Sequence, residues 1–265
     1  MNPPRQETVL VTGASSGIGL ELAKCFAADK SNLVLVARNT DALKTLAVEL
    51  RAKFQIKIQV ITADLAKPDS AEFVFQEAGR AGIEVDMLVN NAGFGLHGMF
   101  HELPLNRQLE ILQVNQTALT ALTGLFLPGM IERNYGGILN VGSIAAFQPG
   151  PCMALYFASK AYVQSFTEAL AAELSGTNLV ISVLCPGPTE TNFGKVARGN
   201  KVRRRKLPGM SADFVARYGY DQFRRGRVVI IPGIANKLTV QLVRFLPRAF
   251  VRRLVKYFNQ QIYRP

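Results

Sequence analysis

The sequence predicts a doubly wound α/β domain, a parallel sheet covered by helices on both faces. Two observations carry that expectation. Short runs rich in Val, Ile and Leu recur along the chain with helical stretches between the first six, and a glycine-rich segment leads directly from the first run into a helix. In order the runs are "TVLVT" (8–12), "NLVLVA" (32–37), "IQVIT" (58–62), "DMLVN" (86–90), "GILNV" (137–141), "LVISVL" (179–184) and "RVVIIP" (227–232). They are continuously apolar, as strands buried on both sides must be. A length of 265 residues fits one large domain better than two small ones. Residues 1–194 form a core without repeat or linker, and residues 195–265 elaborate the same domain. That second part comprises a basic segment "KVARGNKVRRRKLPG", a helix near 211–224, the last strand and an amphipathic tail.

Composition narrows the function classes. With 48% hydrophobic and 19% charged residues the chain builds a packed core and is not a disordered segment. Cys25, Cys152 and Cys185 are odd in number and widely spaced, which suits buried thiols and neither a zinc site nor a disulfide framework. No metal site is expected. The first apolar run is too short for a signal peptide, and no window of 18 apolar residues occurs, so a cytoplasmic location is expected, with peripheral attachment to a membrane surface as a further option. The net charge of +12 is uneven: residues 1–194 hold 13 Lys and Arg against 17 Asp and Glu, whereas residues 195–265 hold 18 against 2. The last quarter therefore suits a partner of opposite charge.

The glycine turn "TGASSGIG" (12–19) has the composition of a phosphate cradle. Glycines permit positive φ and close backbone approach, and the free amides of the following helix face an anion. Its spacing is TGxxxGxG, not the GxGxxG fingerprint. The second strand ends "LVLVARNT": Ala37 offers no carboxylate to a ribose, while Arg38 offers a guanidinium suited to the extra phosphate of NADP. NADP(H) is the expected cofactor.

Tyr156 and Lys160 in "ALYFASKAYV" stand four apart, on one face of a helix. A free tyrosine titrates near pH 10. An ammonium at about 4 Å and an effective dielectric of about 20 contributes about 4 kcal/mol, or about 3 pK units, towards phenolate. Such a pair makes a tuned acid/base for a carbonyl or alcohol.

In the company of "ADL" (63–65), "NNAG" (90–93), "VN" (114–115), "VGS" (141–143), "YFASK" (156–160) and "PGPTET" (186–191), residues 6–195 resemble the short-chain dehydrogenase/reductase family, of Rossmann-type fold. The resemblance implies a catalytic set of Asn115, Ser143, Tyr156 and Lys160. In it Tyr156 gives a proton to the substrate oxygen, Ser143 holds that oxygen, Lys160 binds the nicotinamide ribose and lowers the tyrosine's pKa, and Asn115 holds a water leading to solvent. It implies cofactor contacts at Gly13, Ser15, Ser16, Gly17, Ile18 and Gly19, at Asp64 and Leu65 by the adenine, at Asn91, Ala92 and Gly93 along the ribose, and at Pro186, Gly187, Thr189 and Thr191 by the carboxamide. A homodimer or homotetramer is also implied. His97 and His101 are read as loop histidines near the site mouth.

Ala146, Phe147, Pro149, Cys152, Met153 and Leu155, with Phe193 and the run "KVRRRKLPGM", suggest an apolar wall that favours an apolar carbonyl or alcohol over a sugar. From Lys237 onward, Val243, Leu246, Phe250, Leu254 and Phe258 form one face and Arg244, Arg248, Arg252 and Lys256 another, with Pro247 marking a kink or restart. That apolar face packs on the domain or a second subunit, or lies on an anionic membrane. Arg203, Arg204, Arg205 and Lys206 could instead attract an acyl carrier protein or coenzyme A phosphates. Nucleic acid is disfavoured for want of a motif. The expected activity is NADPH-dependent reduction of an apolar, acyl-chain-bearing ketone or aldehyde. An oxidative alcohol or hydroxysteroid dehydrogenase and a dinucleotide-sensing protein are the alternatives.

Overall fold

A computed structural model describes residues 6–198 and 209–262. Its first half alternates β1 (Thr8–Thr12), α1 (Gly17–Ala28), β2 (Asn32–Ala37), α2 (Thr40–Phe54), β3 (Ile58–Thr62), α3 (Ser70–Arg80) and β4 (Met87–Asn90). Then come α4 (Leu105–Leu112), α5 (Leu119–Glu132), β5 (Gly136–Val141), α6 (Ala154–Glu173) and β6 (Leu179–Leu184). The last part holds β7 (Thr189–Glu190), α7 (Phe193–Arg198), β8 (Met210–Ser211), α8 (Ala212–Arg224), β9 (Val229–Ile230), α9 (Ile234–Phe245) and α10 (Arg248–Ile262).

Seven strands form one sheet in the order β3-β2-β1-β4-β5-β6-β9, every pair parallel. Successive side chains of a strand point to opposite faces. Val9 and Val11 accordingly join Leu22 and Phe26 of α1, Leu43 and Leu50 of α2 and Phe223 of α8, whereas Leu10 joins Val74 of α3 and Leu122 and Phe126 of α5. Two covered faces are the reason the strands carry continuous apolar runs. The chain reverses direction across the sheet between β1 and β4, and this switch point opens the crevice at the C-terminal ends of the strands where ligands of such folds bind.

Helix α8 closes the sheet's first face and ties to the chain's beginning. Phe26 meets Tyr220 and Phe223 edge-on, with ring centroids 4.9 and 6.3 Å away. Arg224 reaches Glu7 (Nη2 to Oε2 2.5 Å) and Asp29 (3.1 Å), its guanidinium lying 5.3 Å from the Phe26 ring centroid. Burial opposes ionisation of Glu7, but hydrogen bonds from Arg224 and Tyr135 outweigh it and hold the carboxyl below its usual range.

Pro247 is a restart: α9 ends at Phe245, and the amides of Phe250 and Val251 donate back to the Pro247 carbonyl. The residues packed on the domain are Val240, Val251, Val255 and Asn259, while Phe250, Leu254 and Phe258 of the expected face are exposed. The new helical start after Pro247 resets the phase that sequence periodicity carried across it. No described helix is long and apolar enough to cross a membrane. The run of Arg203, Arg204, Arg205 and Lys206 lies outside the described residues.

Candidate active site

The glycine turn sits at the switch point and is braced from β4. Thr12 Oγ1 donates to the Val89 carbonyl (3.2 Å) and accepts the amides of Asn91 and Ala92 (3.0 Å each), and Asn91 Nδ2 donates to the carbonyls of Thr12 (2.9 Å) and Gly13 (3.3 Å). Gly13 and Gly17 have φ of +66° and +59°, which side-chain-bearing residues rarely adopt. A Cβ on Gly19 would fall inside contact distance of Asn91 Nδ2 and 2.5 Å from the Gly13 carbonyl oxygen. The side-chain nitrogen of Asn91 is thereby committed to the turn.

Ser16, extended at φ −166°, precedes α1 without a side-chain cap, so the first-turn amides, those of Gly17, Ile18 and Gly19, have no partner from it; Ser15 lies in the same turn. These amides and the positive end of the helix dipole fit a pyrophosphate. Arg38 is exposed just past the end of β2, making no hydrogen bond or ion pair with a described residue. Asp64 Oδ1 accepts the Ala66 amide (3.1 Å) and so caps a turn, and the Leu65 side chain is buried in the core.

Beyond β4 the four residues singled out as a catalytic set converge. Asn115 lies in a π-helical segment, Gln113–Ala118, between α4 and α5, a local widening often found at functional sites. Its Nδ2 donates to Phe94 O and Ser159 Oγ (3.0 Å each), its Oδ1 accepts the Phe94 amide (3.1 Å), and Ser159 Oγ donates to Tyr156 O (2.7 Å). Lys160, 5% exposed, donates to the Val141 carbonyl (2.7 Å). Ser143 follows β5 as the cap of a short 3-10 turn, accepting the Ala145 amide (3.1 Å). The Pro186 carbonyl receives the Ile144 amide (3.0 Å) and Ser143 Oγ (3.4 Å).

The electrostatics depart from the sequence expectation. Lys160 Nζ is 6.0 Å from the Tyr156 ring centroid, and burial pushes it down to about 8. Burial pushes the Tyr156 phenol up to about 12, against the opposing hydrogen bond of Ser143. Desolvation is the leading cause of both shifts. The phenol is protonated at neutral pH, which is the state a proton donor requires.

Thr191 closes the crevice from the other side: a Cβ on Gly17 would lie 3.1 Å from its methyl group. Thr189 Oγ1 donates to the Gly187 carbonyl (2.9 Å), and Gly187 packs tightly against the Asn236 side chain of α9. Leu96, Phe100, Leu103, Ile111, Met153 and Leu155 line a small pocket that includes Tyr156, and the Phe193 ring tilts over the tyrosine at 5.1 Å between centroids. Of the expected wall, Phe147 instead turns into the core beside Leu119 and Val163. His97 lies in a loop between the pocket residues Leu96 and Gly98 but is buried, its backbone amide on the Ala197 carbonyl (2.8 Å), whereas His101 is exposed, 3.9 Å from Glu102. Among the described residues no group of three or more His, Cys, Asp or Glu could hold a metal ion.

One feature under the site escaped the sequence reading. Asn90 Nδ2 donates to Asn140 Oδ1 (3.0 Å), and Asn140 Nδ2 donates to Thr167 Oγ1 (2.9 Å), a fully buried polar chain joining β4, β5 and α6. Two asparagines inside otherwise apolar strands, "MLVN" and "ILNV", were its signal, since buried amides demand partners.

The profile of the short chain dehydrogenase family matches residues 7–201. The chain belongs to the short-chain dehydrogenase/reductase family. It is an oxidoreductase of that family, whose fold binds a nicotinamide dinucleotide. The dehydrogenase/reductase SDR family member 7B of Mus musculus is 32% identical over 258 residues, covering 94% of this chain and 80% of that protein. A very-long-chain 3-oxoacyl-CoA reductase of Pyrenophora tritici-repentis is 32% identical over 200 residues, covering 74% of this chain but only 58% of that protein. Among solved structures, a short-chain dehydrogenase from Sphingobium yanoikuyae in complex with NADPH superposes with TM-score 0.80 at 32% identity, covering 86% of this chain and 88% of the other. One from Burkholderia phymatum in complex with NAD superposes with TM-score 0.79 at 27% identity, covering 89% and 92%.

Proposed function

We propose that this protein is an NADPH-dependent carbonyl reductase acting on an apolar ketone or aldehyde, with 3-oxoacyl thioesters as the leading class. The observation that carries the reading is a protonated, half-buried Tyr156 on the wall of a small pocket lined largely by apolar side chains, with Ser143 and Lys160 beside it. The 3-oxoacyl-CoA reductase among the relatives supports the substrate class.

The nicotinamide dinucleotide supplies the hydride. Gly13, Ser15, Ser16, Gly17, Ile18 and Gly19 cradle its phosphates, Asp64 and Leu65 border the adenine, Ala92 and Gly93 present backbone to the ribose, and Pro186, Gly187, Thr189 and Thr191 flank the carboxamide. Ser143 Oγ orients the substrate carbonyl oxygen and Tyr156 Oη delivers a proton to it as negative charge develops there. Lys160, as ammonium, stabilises the phenolate left behind and hydrogen-bonds the nearby ribose. Asn115 fixes the Phe94 backbone and the Ser159 hydroxyl, and so holds open a proton path to Lys160. The apolar walls formed by Leu96, Met153 and Leu155 exclude water and favour a hydrocarbon substituent.

Initial rates of NADPH oxidation with 3-oxoacyl thioesters of increasing chain length test the substrate class. Rates rising with length are expected, and equal rates for short hydrophilic ketones would remove the acyl chain from the reading. The ionisation of Lys160 sets a pH limb: below about pH 8 the amine is charged and kcat/KM for reduction is level, and above it the charge is lost and the rate falls. A profile still level well above pH 8 would take the ammonium out of the mechanism.

Cofactor preference falls to Arg38, an exposed cation at the end of β2. Arg38→Asp removes a charge-assisted hydrogen bond to the ribose phosphate and places a carboxylate there, so NADPH affinity should fall roughly tenfold to a hundredfold. NADH affinity should hold or rise. Equal weakening of both in a binding titration would show that Arg38 does not read the phosphate.

A further inference from the structure

The last two helices carry an apolar surface that the fold leaves open. On α9, Asn236 and Val240 face the protein, while Ile234, Leu238, Leu242 and Phe245, three or four residues apart, face outward, Ile234 77% and Phe245 83% exposed. On α10, Val251, Val255 and Asn259 face the protein, and Phe250, Tyr257 and Phe258 are each more than half exposed. A surface helix ordinarily turns its apolar stripe to the core and a polar face to water. These two helices present large apolar side chains on both sides.

Charge identifies the occupant. Residues 234–262 contain six cations, Lys237, Arg244, Arg248, Arg252, Arg253 and Lys256, and no Asp or Glu, and all six are exposed. A second copy of this chain meeting the same face across a two-fold axis would set these like charges against one another. A nucleic acid would engage the cations and leave the phenylalanines in water. An anionic bilayer satisfies both, taking the apolar side chains below its headgroups and the cations among its phosphates. We propose that α9 and α10 form a docking surface for an anionic lipid bilayer.

The surface adjoins the pocket. Asn259 Nδ2 donates to the Pro151 carbonyl (2.7 Å), fastening α10 to the loop that precedes Tyr156. In that loop Cys152 Sγ lies 3.8 Å from Met99 Sδ, next to Phe100 on the pocket wall. Docking would bring the pocket mouth to the lipid, so an apolar substrate could enter without crossing water. This use of the surface rests on the reductase reading above, whereas the docking itself does not.

Flotation of the full chain with phosphatidylcholine vesicles, with and without phosphatidylglycerol, tests the proposal. Binding is expected only with phosphatidylglycerol, weakening as salt is added. It should fall at least tenfold in the triple variant Leu238→Ser, Leu242→Ser, Phe245→Ser, with NADPH binding retained as proof of folding. The charge variant Arg248→Glu, Arg252→Glu, Arg253→Glu should lose binding as well. Wild-type protein that fails to float, or floats equally on neutral vesicles, overturns the proposal. So does a triple variant that floats normally but changes from dimer to monomer by light scattering, because the face would then belong to a second copy. If the protein floats yet reduces neither 3-oxoacyl thioesters nor short soluble ketones, the reductase reading falls and the docking stands.

Discussion

Tyr156→Phe is expected to lower kcat for carbonyl reduction about 100- to 10,000-fold, the range of a lost general acid, and to leave NADPH affinity unchanged. The substitution deletes one oxygen and keeps the ring, which is held by Phe193 at 5.1 Å and Phe157 at 6.0 Å between centroids and by close backbone at Gly95. Packing therefore survives and only the proton is lost. Because burial raises the phenol to about 12, wild-type Tyr156 is fully protonated across the working range, and the deficit should not vary with pH below the Lys160 limb. Single-turnover NADPH oxidation alongside a binding titration separates the two effects. Retained turnover would remove Tyr156 from the chemistry, and lost nucleotide binding would make it a structural part of the cofactor site.

Gly19→Ala should cost about 1–3 kcal/mol of stability, the usual range for overpacking, and abolish dinucleotide binding. The new methyl would collide with Asn91 Nδ2 and the Gly13 carbonyl. Asn91 cannot withdraw without releasing its bonds to the Thr12 and Gly13 carbonyls, the same bonds that hold the phosphate turn in shape. Strain and loss of function therefore share one cause. Urea unfolding and NADPH titration of the variant measure both, and an unchanged midpoint with unchanged affinity would mean that the turn shifts at no cost.

The sheet was legible because its strands are covered on both faces: each of the seven apolar runs overlaps an observed strand. The run "RVVIIP" is the weakest match, pairing with β6 only at Val229 and Ile230. At the site, sequence order identified which residues converge, but depth was invisible to it. Spacing showed that Lys160 stands one turn from Tyr156, and could not show that both are desolvated enough to move in opposite directions from those a solvated pair would take. The π-helical segment that aims Asn115 has no residue code of its own. In the tail, two apolar rows share α10, Val251 with Val255 and Leu254 with Phe258, and a three-or-four spacing cannot choose which row the domain will cover.

Arg224 has a consequence for how the chain is made. Its partner Glu7 precedes it by 217 residues, and the rings that cover Phe26 belong to the same helix, α8. A ribosome has therefore delivered β1 through β6 before anything exists to shield the outer side of α1. Throughout that interval the outer side of Phe26 lacks its aromatic cover and the Glu7 carboxylate lacks its guanidinium, so the nascent protein displays a greasy, acidic-rimmed patch of the sort chaperones hold. Completion of the first face comes late in biosynthesis, although its strands and its helix α1 are among the earliest parts to emerge.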